Sequence, residues 1–370
     1  MRPREDDTVL TVGLGDLGRR VVEALSARPG PGLRLVAAGR DLRDARAVAG
    51  QAALVAALAG GPQAVEAARI DLDDVDATAA ELARLDPSVV VLTASRLTWW
   101  RLPERAAGVP YGAWLPLQLT LVRRLMQARA AAGIDAPVVA LPYPDAVGPV
   151  LAGAGLAPEL GAGNVLEMAA KLAALAAARA GVPREAVDVR LVAHHATERM
   201  AFSAFGALGG GGGPSGPPPV FAQVHVEGDP LPEDVVREDL TAPYPLLAGR
   251  SSHALTAAAT AATVAALLSD VPRRLHVPAP GGRPGGYPVR ISRAGVELDL
   301  PHGVTEEDAI AVNAVAARWD GIEAIAPDGT VSFCPWLSDA LHAALGLRME
   351  QVAPDEQDAV ADELLARLAR

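Results

Sequence analysis

The sequence predicts an α/β fold, with an N-terminal doubly wound sheet of parallel strands followed by a C-terminal α+β domain. Three observations carry this. Short apolar segments alternate with helical stretches from Thr8 to Leu141, the pattern of successive βαβ units. One of these segments, Ser88–Thr93 (SVVVLT), is almost wholly apolar, as in a strand covered on both faces. Further along, Leu275–Pro278 and Tyr287–Leu300 read as strands of an antiparallel unit.

Taken in order, residues 1–7 read as a disordered lead, and Val9–Val12 as the first strand. A helix begins near Leu17 and runs to about Ser26. Between them Gly13, Gly15 and Gly18 fall at GxGxxG spacing. Gly13 permits the tight turn, Gly15 lets a pyrophosphate approach the backbone, and Gly18 allows close helix–strand packing. The helix start then offers free N–H groups to phosphate. Arg28–Gly32 (RPGPG) breaks the helix, and Leu33–Ala38 is the second strand, followed by an alanine-rich helix. Ala68–Leu72 reads as the third strand, Asp73–Asp86 as a charged helix, and Val138–Leu141 as a further strand.

The loop Ala94–Trp114 carries Trp99, Trp100, Tyr111 and Trp114 together with Arg96, Arg101 and Arg105. Leaving the carboxyl end of a strand, it reads either as a lid or as an apolar oligomer contact. Asn164 is the expected N-cap of a long helix to about Ala180. Asp188–Ala193 is a strand that runs into His194 and His195, and Gly206–Pro219 is a low-complexity flexible loop. Ser251–Ser269, Thr305–Arg318 and Asp358–Arg370 read as helices. The expected units are a dinucleotide-binding domain over 1–150, an α+β substrate and oligomerisation domain over 151–340, and a helical extension over 341–370.

A net charge of −11 argues against a nucleic-acid surface. No apolar run reaches the ~20 residues of a membrane span. The charged start MRPREDDT lacks a signal-peptide core, and the single cysteine, Cys334, cannot form an internal disulfide. The expectation is a soluble cytoplasmic protein without a membrane or nucleic-acid partner. Arginine supplies 32 of the 33 basic residues, so Lys171 stands alone, and asparagine occurs only at Asn164 and Asn313. In a chain so biased, Asn164 and Lys171 in one short segment become candidates for chemistry.

The glycine turn therefore predicts a dinucleotide, held at Gly13, Gly15, Asp16, Leu17 and Gly18 and, beside the fourth strand, at Thr93 and Ala94. About 20 positions beyond the glycines, an acidic residue would select NAD and an arginine NADP. Ala38, Gly39 and Arg40 stand there, with Asp41 beyond the tip. Arg40 can fork onto a phosphate, so NADP is the expected cofactor and NAD the second choice.

The segment VVALPYPDAV, then GLAPELGAGNVLEMAAKLA, then VDVRLVAHHATERMAFSAF resembles the lactate/malate dehydrogenase family in order and spacing. SSHALTAAATAATVAALL and GVELDLPHGVTEEDAIAV extend the resemblance over roughly residues 8–325. It implies a Rossmann domain with a C-terminal domain of the lactate/malate dehydrogenase type. It implies that His195 transfers a proton and that Glu167, in place of an aspartate, orients it, with His194 the neighbouring alternative. The departures lie at the substrate. The strand-end asparagine is replaced by Tyr143, followed by Pro144 and Asp145. The family's arginine on the next helix is Ala170 here, and the mobile-loop arginine is missing. Those arginines hold a 2-hydroxy-acid carboxylate.

The reading is an NAD(P)-dependent oxidoreductase moving hydride between nicotinamide and a carbonyl or hydroxyl of a small molecule. Asn164, Lys171, Arg96, Arg101 and Ser251 are the expected substrate contacts, no metal is required, and a homodimer or homotetramer is expected. Alternatives are an imine-reducing dehydrogenase and a dinucleotide-binding sensor without catalysis. A short-chain dehydrogenase is set aside because no tyrosine precedes Lys171 by four residues, and a zinc alcohol dehydrogenase because there is one cysteine.

Overall fold

The structure is a computed structural model and describes residues 7–28, 33–60, 64–97, 101–202, 213–242, 244–247 and 249–370. The chain opens with β1 (Thr8–Val12), α1 (Asp16–Ser26), β2 (Arg34–Gly39), α2 (Leu42–Leu58), β3 (Val65–Arg69), α3 (Val75–Leu85) and β4 (Val89–Leu92). It continues through α4 (Leu115–Ala132), β5 (Val138–Ala140), α5 (Pro144–Ala152) and β6 (Leu160–Gly161). These strands form one parallel sheet in the order β3-β2-β1-β4-β5-β6. The order reverses around β1, so the glycine turn after β1 sits at the switch point where such sheets bind ligands.

Alternate residues of the central strands serve two cores, as period-2 geometry requires. Leu10, Val12, Val36, Val90 and Leu92 face one side, and Val9, Leu35, Val89 and Val91 the other. Both sets are fully buried, which is why these strands read as continuous apolar runs.

A second unit follows. Helix α6 (Asn164–Ala180) leads to β7 (Val187–Val192), α7 (His195–Ala201), β8 (Phe221–Val226), β9 (Asp229–Pro230), α8 (Glu233–Thr241) and α9 (His253–Leu267). Then come β10 (Arg273–Pro278), β11 (Gly286–Ser292), β12 (Gly295–Leu298) and α10 (Glu306–Ala316). Strands β7-β8-β9 and β10-β11-β12 form two antiparallel sheets. Thr305 starts α10 with a capping box, its side chain accepting from Asp308 N while Asp308 accepts from Thr305 N.

The chain ends in β13 (Ile322–Ile325), β14 (Val331–Phe333), α11 (Pro335–Leu345), β15 (Gln351–Val352) and α12 (Gln357–Leu368). This segment is part of the main core. Leu337, Leu341, Ala361 and Leu364 are buried in the same cluster as the sheet residues Leu10 and Leu92.

Several sequence expectations shift. The third strand is Val65–Arg69, three residues earlier than expected, because Leu35 to Gly39 pair with Val65 to Arg69. Ile70 and Leu72 are apolar for another reason, burial in the core after the strand ends. Asp7, expected in a disordered lead, is 4% exposed and accepts two hydrogen bonds from Arg293. Strand β6, beyond residue 150, joins the parallel sheet beside β5. Residues 203–212, which include the first half of the expected flexible loop, and Trp99 and Trp100 lie outside the described residues. Among the described residues no helix is long and apolar enough to cross a membrane.

Candidate active site

The glycine turn has the geometry its residues predict. A Cβ on Gly18 would lie 1.9 Å from Gly13 O and 2.6 Å from Thr93 Oγ1, so only glycine lets α1 approach. Gly13 has φ +97°, and a Cβ there would meet Ala94 N at 2.6 Å. Thr93 Oγ1 donates to Gly13 O at 2.5 Å, pinning the turn to the end of β4. By contrast, a Cβ on Gly15 would meet nothing within 4 Å. No side chain caps α1, which leaves its first N–H groups to an anion. Asp16 is the one negative group in that turn. Its carboxylate accepts from Arg20 Nε at 2.9 Å and is 2.8 Å from His253 Nδ1. Burial opposes its ionisation, but those two hydrogen bonds outweigh it and hold Asp16 below its ordinary range. The turn therefore fits a pyrophosphate, with the charge of Asp16 already paired.

A cavity of about 170 Å³ opens beside this turn. Leu17 and Thr93 line the side next to the glycine turn, and Leu141 to Pro144, after β5, form its floor. Gly163, Asn164 and Glu167 enter from the start of α6, His195, Glu198 and Arg199 from α7, and Ser252, His253 and Thr256 from α9.

His195 is the first residue of α7, and three contacts fix it. Its backbone N–H donates to Asp145 Oδ1 at 2.9 Å, its ring Nδ1 lies 2.7 Å from Asp320 Oδ2, and Tyr111 stacks on the ring at 4.5 Å. Asp145 also accepts from Asn164 Nδ2 at 2.6 Å, so one buried carboxylate ties the starts of α5, α6 and α7 together. Asp320, fully buried before β13, also accepts from Tyr143 OH at 2.9 Å. Tyr143 has φ +39°, a left-handed conformation uncommon for a bulky residue and characteristic of a constrained site.

The electrostatics follow from this packing. Burial alone would lower the basicity of His195. The charge and hydrogen bond of Asp320, helped by Glu198 and Asp145, reverse that and raise it to about 9. Asp320 is in turn held far below the ordinary carboxyl range: burial opposes ionisation, but the neighbouring His195, His194 and Arg199 outweigh it. The pair is an imidazolium–carboxylate at neutral pH, which leaves Nε2 of His195 to carry a proton to or from a ligand. Glu198 Oε2 lies 4.0 Å from that nitrogen. Burial pushes Glu198 up to about 7, with the His195 charge opposing. Glu167 is raised well above the ordinary range by burial and by the charge of Glu198, against a hydrogen bond with Thr256.

The expected site residues divide accordingly. His195, Asn164, Glu167, Leu17 and Thr93 line one cavity. Glu167, expected to orient His195, does not: Asp320 occupies the ring Nδ1, and Glu167 bonds Thr256 instead. His194 is spent as the cap of α7, its Nδ1 accepting from Ala196 N, and is 1% exposed. Asn164 begins α6 rather than capping it, because Gly163, at φ +113°, takes the cap position. Lys171 is turned away from the cavity and donates to the carbonyls of Ala201, Leu240 and Ala242. Arg96 pairs with Asp362 on α12 at 2.7 Å. Arg101 and Ser251 are exposed and do not line the cavity, where the neighbouring Ser252 stands. The described end of the tryptophan-rich loop is a wall of the site rather than a lid: Trp114 is 3% exposed, and Gly112 packs against the Asp320 backbone. Arg40 is exposed at the tip of β2, with no bond to another described residue, and Asp41 caps α2 through Arg43 N. Asp320, Tyr111 and Glu198 went unassigned in the sequence. Nothing in their spacing marks them, since Asp320 lies 125 positions from His195.

A six-stranded parallel sheet with a GxGxxG turn at its switch point, followed by antiparallel sheets and a buried histidine–aspartate pair, is a Rossmann-like α/β architecture. Comparison with solved structures makes this particular. A lactate dehydrogenase from a Medee basin deep-sea metagenome library matches with a TM-score of 0.56 at 14% identity, over 93% of this chain and 99% of that one. A lactate dehydrogenase from Eimeria maxima, solved with NADH and oxamate, matches with a TM-score of 0.58 at 12% identity, over 85% and 92%. A malate dehydrogenase from Aeropyrum pernix matches with a TM-score of 0.54 at 19% identity, over 84% and 96%. No family model and no curated protein matches the chain. The chain has the lactate/malate dehydrogenase fold in a form of low sequence identity.

Proposed function

We propose that the protein is an NAD(P)-dependent oxidoreductase that interconverts a carbonyl and a hydroxyl. The observation that carries this is the His195–Asp320 pair, set in a cavity that also reaches the dinucleotide turn. The nicotinamide, when bound, supplies or accepts the hydride. Gly13 to Gly18 would hold its pyrophosphate, with Thr93 and Ala94 beside it. Protonated His195 donates from Nε2 to the carbonyl oxygen as the C–H bond forms, and takes the proton back in the reverse direction. Asp320 holds the ring and stabilises its charge, while Tyr111 covers one ring face. Because His195 is raised to about 9, reduction is supported at neutral pH, and oxidation of the hydroxyl is expected to rise as pH passes through about 9.

The cofactor choice rests on Arg40, which is available for a 2′-phosphate. The Eimeria maxima enzyme is described with NADH, so the comparisons lend NADP no support. A direct titration decides. NADPH and NADH are added to the purified protein while energy transfer from tryptophan to nicotinamide is followed. Binding of neither would overturn the oxidoreductase reading. Arg40→Ala is expected to weaken NADPH at least tenfold and leave NADH unchanged, and equal loss would reverse the cofactor choice in favour of NAD.

A further inference from the structure

The same cavity carries information about the substrate, and this step rests on the oxidoreductase reading. We infer that the site takes a substrate bearing an ammonium group within one or two bonds of the reacting carbon, an amino alcohol or amino ketone rather than a 2-hydroxy acid.

A carboxylate ligand is held most strongly by an unspent cation, above all a guanidinium fork. The cations near this cavity are committed to the protein. Lys171 is chelated by three carbonyls behind α6. Arg96 pairs with Asp362. Arg199, which does line the cavity, donates to Trp319 O at 2.8 Å and lies 4.0 Å from Asp320. His195 is already paired with Asp320.

What the cavity offers instead is acceptors. Glu167 and Glu198 both line it. Glu167 is 4% exposed, and its Oε1 has no hydrogen-bond partner. An orphaned carboxyl oxygen beside a cavity is costly unless a ligand completes it. Glu198 lies 4.0 Å from His195 Nε2, the atom that meets the reacting oxygen, so a group bound between the two carboxyls stands close to the reacting carbon. With His195 already balanced by Asp320, an ionised glutamate in this cavity is left for the ligand's ammonium to balance. Burial and the charge of Glu198 raise Glu167, and burial with Asp145 and Asp320 raises Glu198 to about 7, so arrival of a cation between them should release protons.

The test uses three probes of one skeleton: 1-aminopropan-2-ol, lactate and propane-1,2-diol. Each is titrated calorimetrically at pH 7 into protein saturated with the oxidised dinucleotide, in two buffers of different ionisation enthalpy. The amino alcohol is expected to bind at least tenfold more tightly than lactate and than the diol, with net proton release. Glu167→Gln should abolish that preference while dinucleotide affinity stays at its wild-type value. Glu198→Gln gives a second route to the same loss if the first variant fails to fold. Lactate binding as tightly as the amine would overturn the inference, and so would preference for the diol or no binding of any probe. Dinucleotide binding is measured first on the same sample. Its failure overturns the underlying reading, whereas its success with lactate preferred overturns this inference alone.

Discussion

Asp320→Asn is expected to lower kcat/KM by about 10²–10⁴-fold, the range of a lost acid–base contribution, while leaving the dinucleotide Kd unchanged. An amide can still touch Nδ1 of His195, so the ring is not expelled. What is lost is the charge that raises His195 to about 9. The midpoint of the pH profile for reduction should fall from about 9 towards the ordinary histidine value of about 6.5. Stability gives a second readout. His195 is raised in the folded state, so its contribution is complete below its unfolded value and fades as pH rises through about 9. Asp320 is lowered, so its contribution holds above its ordinary value and is lost in strong acid. The pair therefore stabilises most between about pH 4 and 6.5. Wild-type protein should lose part of its denaturation midpoint between pH 6.5 and 9, and the variant should not. A variant with an unchanged pH profile would remove Asp320 from the mechanism.

Gly15→Val is expected to raise the dinucleotide Kd by about 100-fold or more, equivalent to ~2.7 kcal/mol, without moving the thermal midpoint of the ligand-free protein. The space a Cβ would enter is empty of protein, and Gly15 has φ −68°, which valine adopts without strain. The same change at Gly18 should behave in the opposite way. A Cβ there lies 1.9 Å from a backbone oxygen, so the fold fails before binding can be measured. Tight dinucleotide binding by Gly15→Val would mean that the phosphates sit elsewhere.

Much of this was legible in the chain, because local signals acted locally. The β1 turn depends on glycines within six residues, and the buried strands on runs of valine and leucine, so both survive folding nearly as read. His195 was legible because it lies three residues beyond the end of a strand that leads to the cavity. Its partner was not. Asp320 looks like an ordinary turn acid in RWDGIEA, and it reaches the ring only because the segment before β13 packs against Gly112 and Tyr143. Glu167 was assigned to His195 by analogy of position. Its helix does bring it to the cavity, but Asp320 already occupies Nδ1. Lys171 shows the limit of spacing arguments. It lies one turn beyond Glu167, yet the carbonyls of Ala201 in α7, Leu240 in α8 and Ala242 just after it draw its ammonium to the far side.

That lysine has a practical consequence. It is the chain's one side-chain amine, is 4% exposed, and is depressed by burial to about 8. Reagents that acylate or reductively methylate surface amines will find no lysine on the closed molecule. Modification at residue 171 must await separation of α7 and α8 from α6, so its rate times that opening and serves as an internal clock for the wall that carries His195.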